Sequence, residues 1–365
     1  MSDRWEPAAF KGRVDEVVRR FVAQEADEFA RIDPLLEPVA EQLEAAVADG
    51  KRLRAAFCYW GWRAAGQPDS DALMRAAASM ELVHAAAVVH DDLIDDSPLR
   101  HGRPTAHVAL CGAPAARPSV DAAVTRTAGR SLAMLVGDLL MALAGQLFAA
   151  SGLPAAYLAR ARPLWSVMAR ELVAGECLEI LRTGAGPDTA ASLKVIRYKT
   201  AKYTVEQPLL IGGALAGAGV RLREGYSAYG LPLGEAFQLR DDLLGLFGDP
   251  RRTGKANDDD IRGNRPTALL AETWRLAGET DRERLRALLA RRRPEADVTD
   301  AEGLDTDALD GVREVMRRLK APDRIEDMVD ARVEQALDAL HEWDAPAHAT
   351  RALTALARSA ADRLS

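Results

Sequence analysis

Apolar residues recur along this chain at three- and four-residue steps, and that spacing restricts the fold more than any other feature. From Gly12 to Ala48 the series Val14, Val17, Val18, Phe21, Val22, then Leu35, Leu36, Val39, Leu43 predicts two amphipathic helices broken near Pro34. Long Ala- and Leu-rich segments follow at 52–65, 71–96, 127–150, 155–182, 189–217 and 224–248, with further helices towards the C-terminus. No segment of period-two alternation competes with them. Of 365 residues 48% are hydrophobic but only 5% aromatic, and Ala and Leu outnumber Val and Ile, which favours helix over sheet. Breaks fall at Gly66-Gln67-Pro68, 97–118, 183–187 and 249–266, and the polar stretch 291–307 reads as a surface connection. None reads as an interdomain linker, so residues 1–365 are expected to form one large all-α domain.

The formal charge of -7 leaves no electrostatic footprint for nucleic acid, so any polyanionic substrate needs locally placed cations. Cys58, Cys111 and Cys177 are scattered and odd in number, without the CxxC spacing of a zinc site, which points to a reducing cytoplasm. The first ten residues carry no apolar signal-like core, and no stretch reaches about 18 uninterrupted apolar residues. A cytoplasmic protein without stable membrane insertion is the expectation.

Chemistry concentrates in two acidic clusters. The first, His90-Asp91-Asp92-Leu93-Ile94-Asp95-Asp96, ends an Ala-rich helical segment. Asp91 and Asp95 share a helix face there, so their carboxylates can converge on a hard cation. Acidic groups near a helix C-terminus oppose the macrodipole, and a bound cation compensates both costs. The second cluster, Gln238-Leu239-Arg240-Asp241-Asp242, is followed by Asp249 on nearly the same face as Asp241. Two such helix ends can clamp several Mg²⁺ ions around a diphosphate. Basic groups suited to phosphate oxygens stand at Lys51, Arg52 and Arg54, at Arg100, at Lys199 beside Thr200, and at Lys255.

Taken in order, these segments resemble the trans-polyprenyl diphosphate synthases. The matching residues are Gly50-Lys51-Arg52-Leu53-Arg54; Glu81-Leu82-Val83-His84; His90 to Asp95 with Arg100, Gly102 and Pro104; Gly137-Asp138-Leu139-Leu140; Tyr198-Lys199-Thr200-Ala201; and Phe237-Gln238 through Asp242, Gly248-Asp249, Thr253-Gly254-Lys255 and Asp260. The resemblance implies the isoprenoid synthase fold, a single large helical bundle with a central active-site cavity. It also implies an enzyme that condenses isopentenyl diphosphate with an allylic diphosphate, as a homodimer using about three Mg²⁺ ions per site. Asp91, Asp95 and Asp241 would be principal metal ligands, supported by Asp92, Asp242 and Asp249. Arg100, Lys199 and Lys255 would hold the allylic diphosphate, with Thr200 in the same catalytic group. Lys51, Arg54 and His84 would hold isopentenyl diphosphate, and Phe237 and Gln238 would line the reaction centre.

Some residues depart from the family pattern. His101 replaces a second Arg that normally helps bind isopentenyl diphosphate. Gly175-Glu176-Cys177-Leu178-Glu179 stands where Gly-Gln-x-x-Asp is usual. Ala55 replaces a common proline, Asn264-Arg265 a Gly-Lys, and Gly245 the last carboxylate of a full DDxxD. The rival readings are a class I terpene cyclase, which has no use for Lys51, Arg54 and His84, and a non-catalytic subunit, which has no use for intact aspartates. Ala87 and Ala86, four and five residues before Asp91, place no bulky floor in the tunnel that the resemblance implies, whereas Val83 and Met80 lie deeper. Geranylgeranyl diphosphate (C20) is therefore the expected product, with farnesyl or longer prenyl diphosphates as alternatives.

Overall fold

The computed structural model describes residues 6–111, 122–248, 261, 265–291, 306–343 and 345–361. The elements in chain order are α1 (Pro7–Ala30), a 3₁₀ turn (Pro34–Leu36), α2 (Glu37–Val47), α3 (Leu53–Ala64), α4 (Asp71–Ile94), β1 (Leu99–Arg100), β2 (Arg103–Pro104), α5 (Ala106–Ala109), α6 (Ala122–Ala149) and α7 (Ala155–Arg182). They continue with α8 (Thr189–Val195), a π-helix (Ile196–Glu206), α9 (Gln207–Ala216), α10 (Val220–Phe247), α11 (Ala268–Leu276), α12 (Glu279–Leu289), α13 (Thr306–Arg318), α14 (Ala321–His341) and α15 (Ala347–Ala361). The fold is all-α, as the spacing predicts; among the described residues the strands form one two-residue hairpin.

Each amphipathic stripe becomes a buried seam. In α1 the buried residues are Phe10, Val14, Val18, Val22 and Ala26, a strict four-residue step that keeps one face inward. Pro34 opens the short 3₁₀ turn before α2, where Asp33 caps by accepting from the Leu35 N–H. Leu35 is 82% exposed there and does not join the core stripe that its spacing predicts. The Ser70 hydroxyl caps α4 by accepting from Leu73, which starts the helix at the end of the Gly-Pro break.

The chain divides into two compact units. The first contains residues 1–163, 208–218 and 345–352, and in it α4 is the central element, packed against α6, α3, α1 and α2. Its Ala-rich sequence permits this close packing on several sides, and Leu73, Met74, Ala76, Ala77, Ala78, Leu82 and Ala86 are all buried. The second contains residues 164–207, 219–344 and 353–365, with α10 as its central element, packed on the π-helix and α14. Its core joins Ala236, Leu239, Leu243 and Leu246 of α10 to Val312, Val315 and Met316 of α13 and Ile325 and Val329 of α14.

Two helices, Asp71–Ile94 and Ala123–Ala149, are long and apolar enough to cross a membrane by length and composition. In the first, 72% of the apolar window is buried by its neighbours, as befits a core helix, and in the second 44%.

Candidate active site

In the first unit the acidic motif ends α4. The Asp95 N–H donates to the Asp91 carbonyl at 2.9 Å and the Ser97 N–H to the Asp92 carbonyl at 2.9 Å, so backbone bonds hold the motif at the last turn. Asp96 then takes a left-handed conformation (φ 53°) and stops the helix. Its carboxylate accepts from Arg130 Nη1 at 2.6 Å, while Nη2 of the same guanidinium donates to the Leu93 carbonyl at 3.1 Å. The turn of the β1–β2 hairpin consists of His101 and Gly102, both at positive φ (51° and 74°), which is the two-residue turn whose twist suits an antiparallel pair.

That hairpin returns Arg100 to the helix end. Arg100 Nε donates to both Asp92 oxygens at 2.8 and 2.9 Å, Nη2 adds a further close contact, and Asp91 Oδ2 lies 3.6 Å from Nη2. Asp92 is 5% exposed, and such an anion inside the fold requires this kind of pairing. Thr105 anchors the other end of the hairpin by donating its hydroxyl to the Ser97 carbonyl at 2.7 Å. Gly137 of α6 faces the His90 ring: a Cβ there would lie 2.2 Å from Nε2, the nitrogen that stands 3.1 Å from the Met134 carbonyl. The Gly137-Asp138 motif thus leaves room for the residue that opens the aspartate cluster.

The basic loop before α3 has a buried support. Arg52, 3% exposed and left-handed (φ 56°), donates from Nε to Asp15 at 2.7 Å and from Nη2 to the Val47 carbonyl at 2.6 Å. Burial works to raise the Asp15 pKa, but hydrogen bonds from Lys11 and Arg52 outweigh it and hold the carboxyl below its ordinary value. Glu81 of α4, 2% exposed, accepts from the Ala55 N–H at 2.8 Å and so ties the first turn of α3 to α4. Lys51 is exposed, Arg54 is buried and His84 is half-buried, all within the first unit. The sequence groups Arg52 with the cations suited to phosphate oxygens, but its buried guanidinium is taken up by Asp15 and the Val47 carbonyl, while Glu81, which the sequence offers only as part of a matching segment, supports the start of α3.

In the second unit a chain of hydrogen bonds runs from the π-helix to the second acidic motif. Thr200 Oγ1 donates to Gln238 Oε1 at 2.8 Å, and Gln238 Nε2 donates to Asp242 Oδ1 at 2.9 Å. Asp241 and Phe237 are half-buried on α10 and Asp242 is buried. Arg240 pairs with Glu326 of α14. Lys199 lies 3.0 Å from Glu176 Oε2 and in close contact with Glu179 Oε2. The next lysine, Lys202, lies 2.8 Å from Glu171 and 3.3 Å from Glu206. Burial works to lower the Lys202 pKa, but Glu171 and Glu206 reverse that and raise it. Asp249 and Lys255 lie outside the described residues.

Gly175 makes the Lys199 contact possible. A Cβ at that position would stand 2.2 Å from the Lys199 nitrogen and 2.5 Å from its Cα, and backbone cannot yield as a flexible side-chain end can. Gly175→Ala is therefore expected to force α7 and the π-helix apart and lower stability by about 1–3 kcal/mol, measured by chemical denaturation. Unchanged stability would show that this close approach is not tight.

Adjacent aspartates close α4 in the first unit and lie within α10 in the second, Arg100 pairs with Asp92 and Lys199 with Glu176 and Glu179, and these are the groups that a metal-assisted enzyme acting on diphosphates uses. Comparison with known proteins agrees. Residues 36–303 match the polyprenyl synthetase family. A (2E,6E)-farnesyl diphosphate synthase of Mycobacterium tuberculosis is 32% identical over 318 residues, covering 84% of this chain and 79% of the relative. A nonaprenyl diphosphate synthase of the same organism is 29% identical over 96% of both chains. Among solved structures, geranylgeranyl pyrophosphate synthase from Corynebacterium glutamicum, complexed with isoprenyl diphosphate and magnesium, superposes with a TM-score of 0.88 at 31% identity, covering 98% of this chain and 100% of that one.

The chain belongs to the polyprenyl synthetase family. It is an enzyme, a prenyltransferase of the trans-prenyl diphosphate synthase type, and the family condenses isopentenyl diphosphate with allylic diphosphates.

Proposed function

We propose that this synthase makes all-trans geranylgeranyl diphosphate, as one functional domain spanning both units. The reading rests on the side-chain sizes along α4 ahead of Asp91, where Ala87 alone of the four candidate positions is open on one side. Ala86 is 0% exposed, Val83 and Met80 are each 1% exposed, and Ala87 is half-buried on the next position round. Small residues stand nearest the aspartates and larger ones deeper. The similarity to a geranylgeranyl pyrophosphate synthase supports C20, while the farnesyl and nonaprenyl relatives keep shorter and longer products as alternatives. Incubation with Mg²⁺, isopentenyl diphosphate and each of the C5, C10 and C15 allylic primers, followed by product analysis, tests it. A product other than C20 overturns the chain length, and cyclised hydrocarbon overturns elongation itself.

The donor chemistry fits Mg²⁺: Asp91 and Asp95, one turn apart, and Asp241 offer hard carboxylate oxygens, with Asp92, Asp242 and Asp249 in support. Bound Mg²⁺, about three ions in this reading, would offset the charge of the departing diphosphate. Arg100, Lys199 and Lys255 bind the allylic diphosphate oxygens, with Arg100 aligned by Asp92. Lys51, Arg54 and His84 bind isopentenyl diphosphate, so that its double bond meets the allylic cation as the first diphosphate leaves. Thr200 orients Gln238, which with Phe237 borders the reacting carbons. Apolar helix walls exclude water from the cation, and released diphosphate accepts the proton lost in the last step.

His101 offers a test of the isopentenyl diphosphate site. His101→Arg replaces an imidazole by a permanently charged five-donor fork and is expected to lower the KM for isopentenyl diphosphate. Because position 101 is left-handed, where histidine is tolerated better than arginine, a loss of about 1 kcal/mol in stability should accompany the gain. Steady-state kinetics with isopentenyl diphosphate varied checks this, and an unchanged or higher KM would place His101 outside that site.

We further infer a cytoplasmic homodimer. The three cysteines are unlinked, which suits a reducing compartment. Val124 and Leu135, three turns apart on α6, are 56% and 54% exposed beside Met134 at 48%, and a second copy would cover this apolar face.

A further inference from the structure

We propose that Glu176 is a positioning residue that governs how readily Lys199 is released to a diphosphate, and so sets the affinity for the allylic substrate; this rests on the reading of Lys199 as a ligand of that diphosphate. Glu176 and Glu179 stand three residues apart on α7 and present both carboxylates to one side of the helix. The Lys199 ammonium lies between them, 3.0 Å from Glu176 Oε2 and in close contact with Glu179 Oε2. All three side chains are sheltered, with 18%, 16% and 18% of Glu176, Glu179 and Lys199 exposed, so water screens the pairing only weakly. Gly175 fixes the arrangement by letting the Lys199 backbone close onto α7.

Two carboxylates on one ammonium leave a net negative charge. The ammonium has three N–H donors, and a diphosphate oxygen that approaches Lys199 competes for it with both carboxylates. Glutamine at 176 would still reach the ammonium with its carbonyl oxygen, while Glu179 kept the salt bridge, so the side chain would be placed alike but held less strongly. Glu176 therefore acts through Lys199 and lowers the affinity for the allylic diphosphate. Isopentenyl diphosphate, assigned to Lys51, Arg54 and His84, is not affected.

The test is equilibrium binding of an unreactive allylic thiolodiphosphate in the presence of Mg²⁺, by calorimetry, on the full chain and on Glu176→Gln, Lys199→Gln and the double variant. Glu176→Gln is expected to bind the probe about fivefold more tightly than the parent, and the gain should vanish in the Lys199→Gln background. The KM for the allylic primer should fall with it, while that for isopentenyl diphosphate stays unchanged. Equal or weaker binding by Glu176→Gln overturns the proposal, as does failure of the parent to bind the probe. An equal gain in the Lys199→Gln background also overturns it, because Glu176 would then repel the ligand directly. Tighter binding without turnover on any primer would instead sink the proposed synthase reaction and leave the Lys199 pairing standing.

Discussion

Replacing Asp91 or Asp241 by Asn is expected to lower kcat by on the order of a thousandfold or more, with folding intact. Asparagine keeps the size of the side chain but lacks the anionic oxygen that Mg²⁺ demands. The end of α4 should survive the change, since its last turn is closed by backbone bonds, among them Asp95 N–H to the Asp91 carbonyl at 2.9 Å. Removing a negative charge from a helix C-terminus also relieves a conflict with the macrodipole, so the thermal midpoint of Asp91→Asn should not fall. The measurement is initial rate against Mg²⁺ concentration for both purified variants, with circular dichroism to confirm folding. Turnover near that of the parent in either folded variant would end the two-cluster metal reading.

The second large effect concerns product length. Ala86→Phe and Ala87→Phe are expected to shift the product from C20 towards C15 while leaving the first condensation active. One helical turn advances about 5.4 Å, close to one isoprene unit, so an aromatic ring a turn before Asp91 would stop the chain there. The two positions provide their own control because Ala86 is fully buried while Ala87 is half-buried. If Ala86 only permits α4 to pack on its neighbours, adding a ring would overpack the core at about 1–3 kcal/mol without altering the product. If either side chain borders a tunnel, the ring fills existing space and the products shorten. Chromatography of the dephosphorylated prenols distinguishes these results, and an unchanged distribution in both folded variants would locate the tunnel elsewhere.

Much of the helix framework could be read in the chain itself. The segment expected at 71–96 is α4 at Asp71–Ile94, the segment at 155–182 is α7 within the same bounds, and that at 224–248 is the main part of α10. Pro34 separates α1 from α2 as its fixed φ and missing N–H predict. The segment expected at 189–217 is helical throughout but contains the π-helix Ile196–Glu206. Its i→i+5 bonding widens the turn at Lys199 and Thr200, but the stretch holds too few apolar side chains for their spacing to reveal it. Leu35 shows the reverse failure: its spacing suits a core stripe, but the capped turn at Asp33 directs it outwards.

By itself the sequence determined the helical class, the positions of most breaks and the carboxylates, guanidiniums and ammoniums available at each helix end. Those are local properties, set by a period of about 3.6 residues and by side-chain chemistry. Tertiary structure alone decided which charges meet. Arg100 turns back to Asp92 because a hairpin intervenes, Arg52 reaches Asp15 on α1, and Glu81 reaches the start of α3. Lys199 finds Glu176 and Glu179 because Gly175 lets two backbones approach. Such pairings depend on how helices pack, and attraction between charges acts through the distances that packing creates, which no local pattern in the chain encodes.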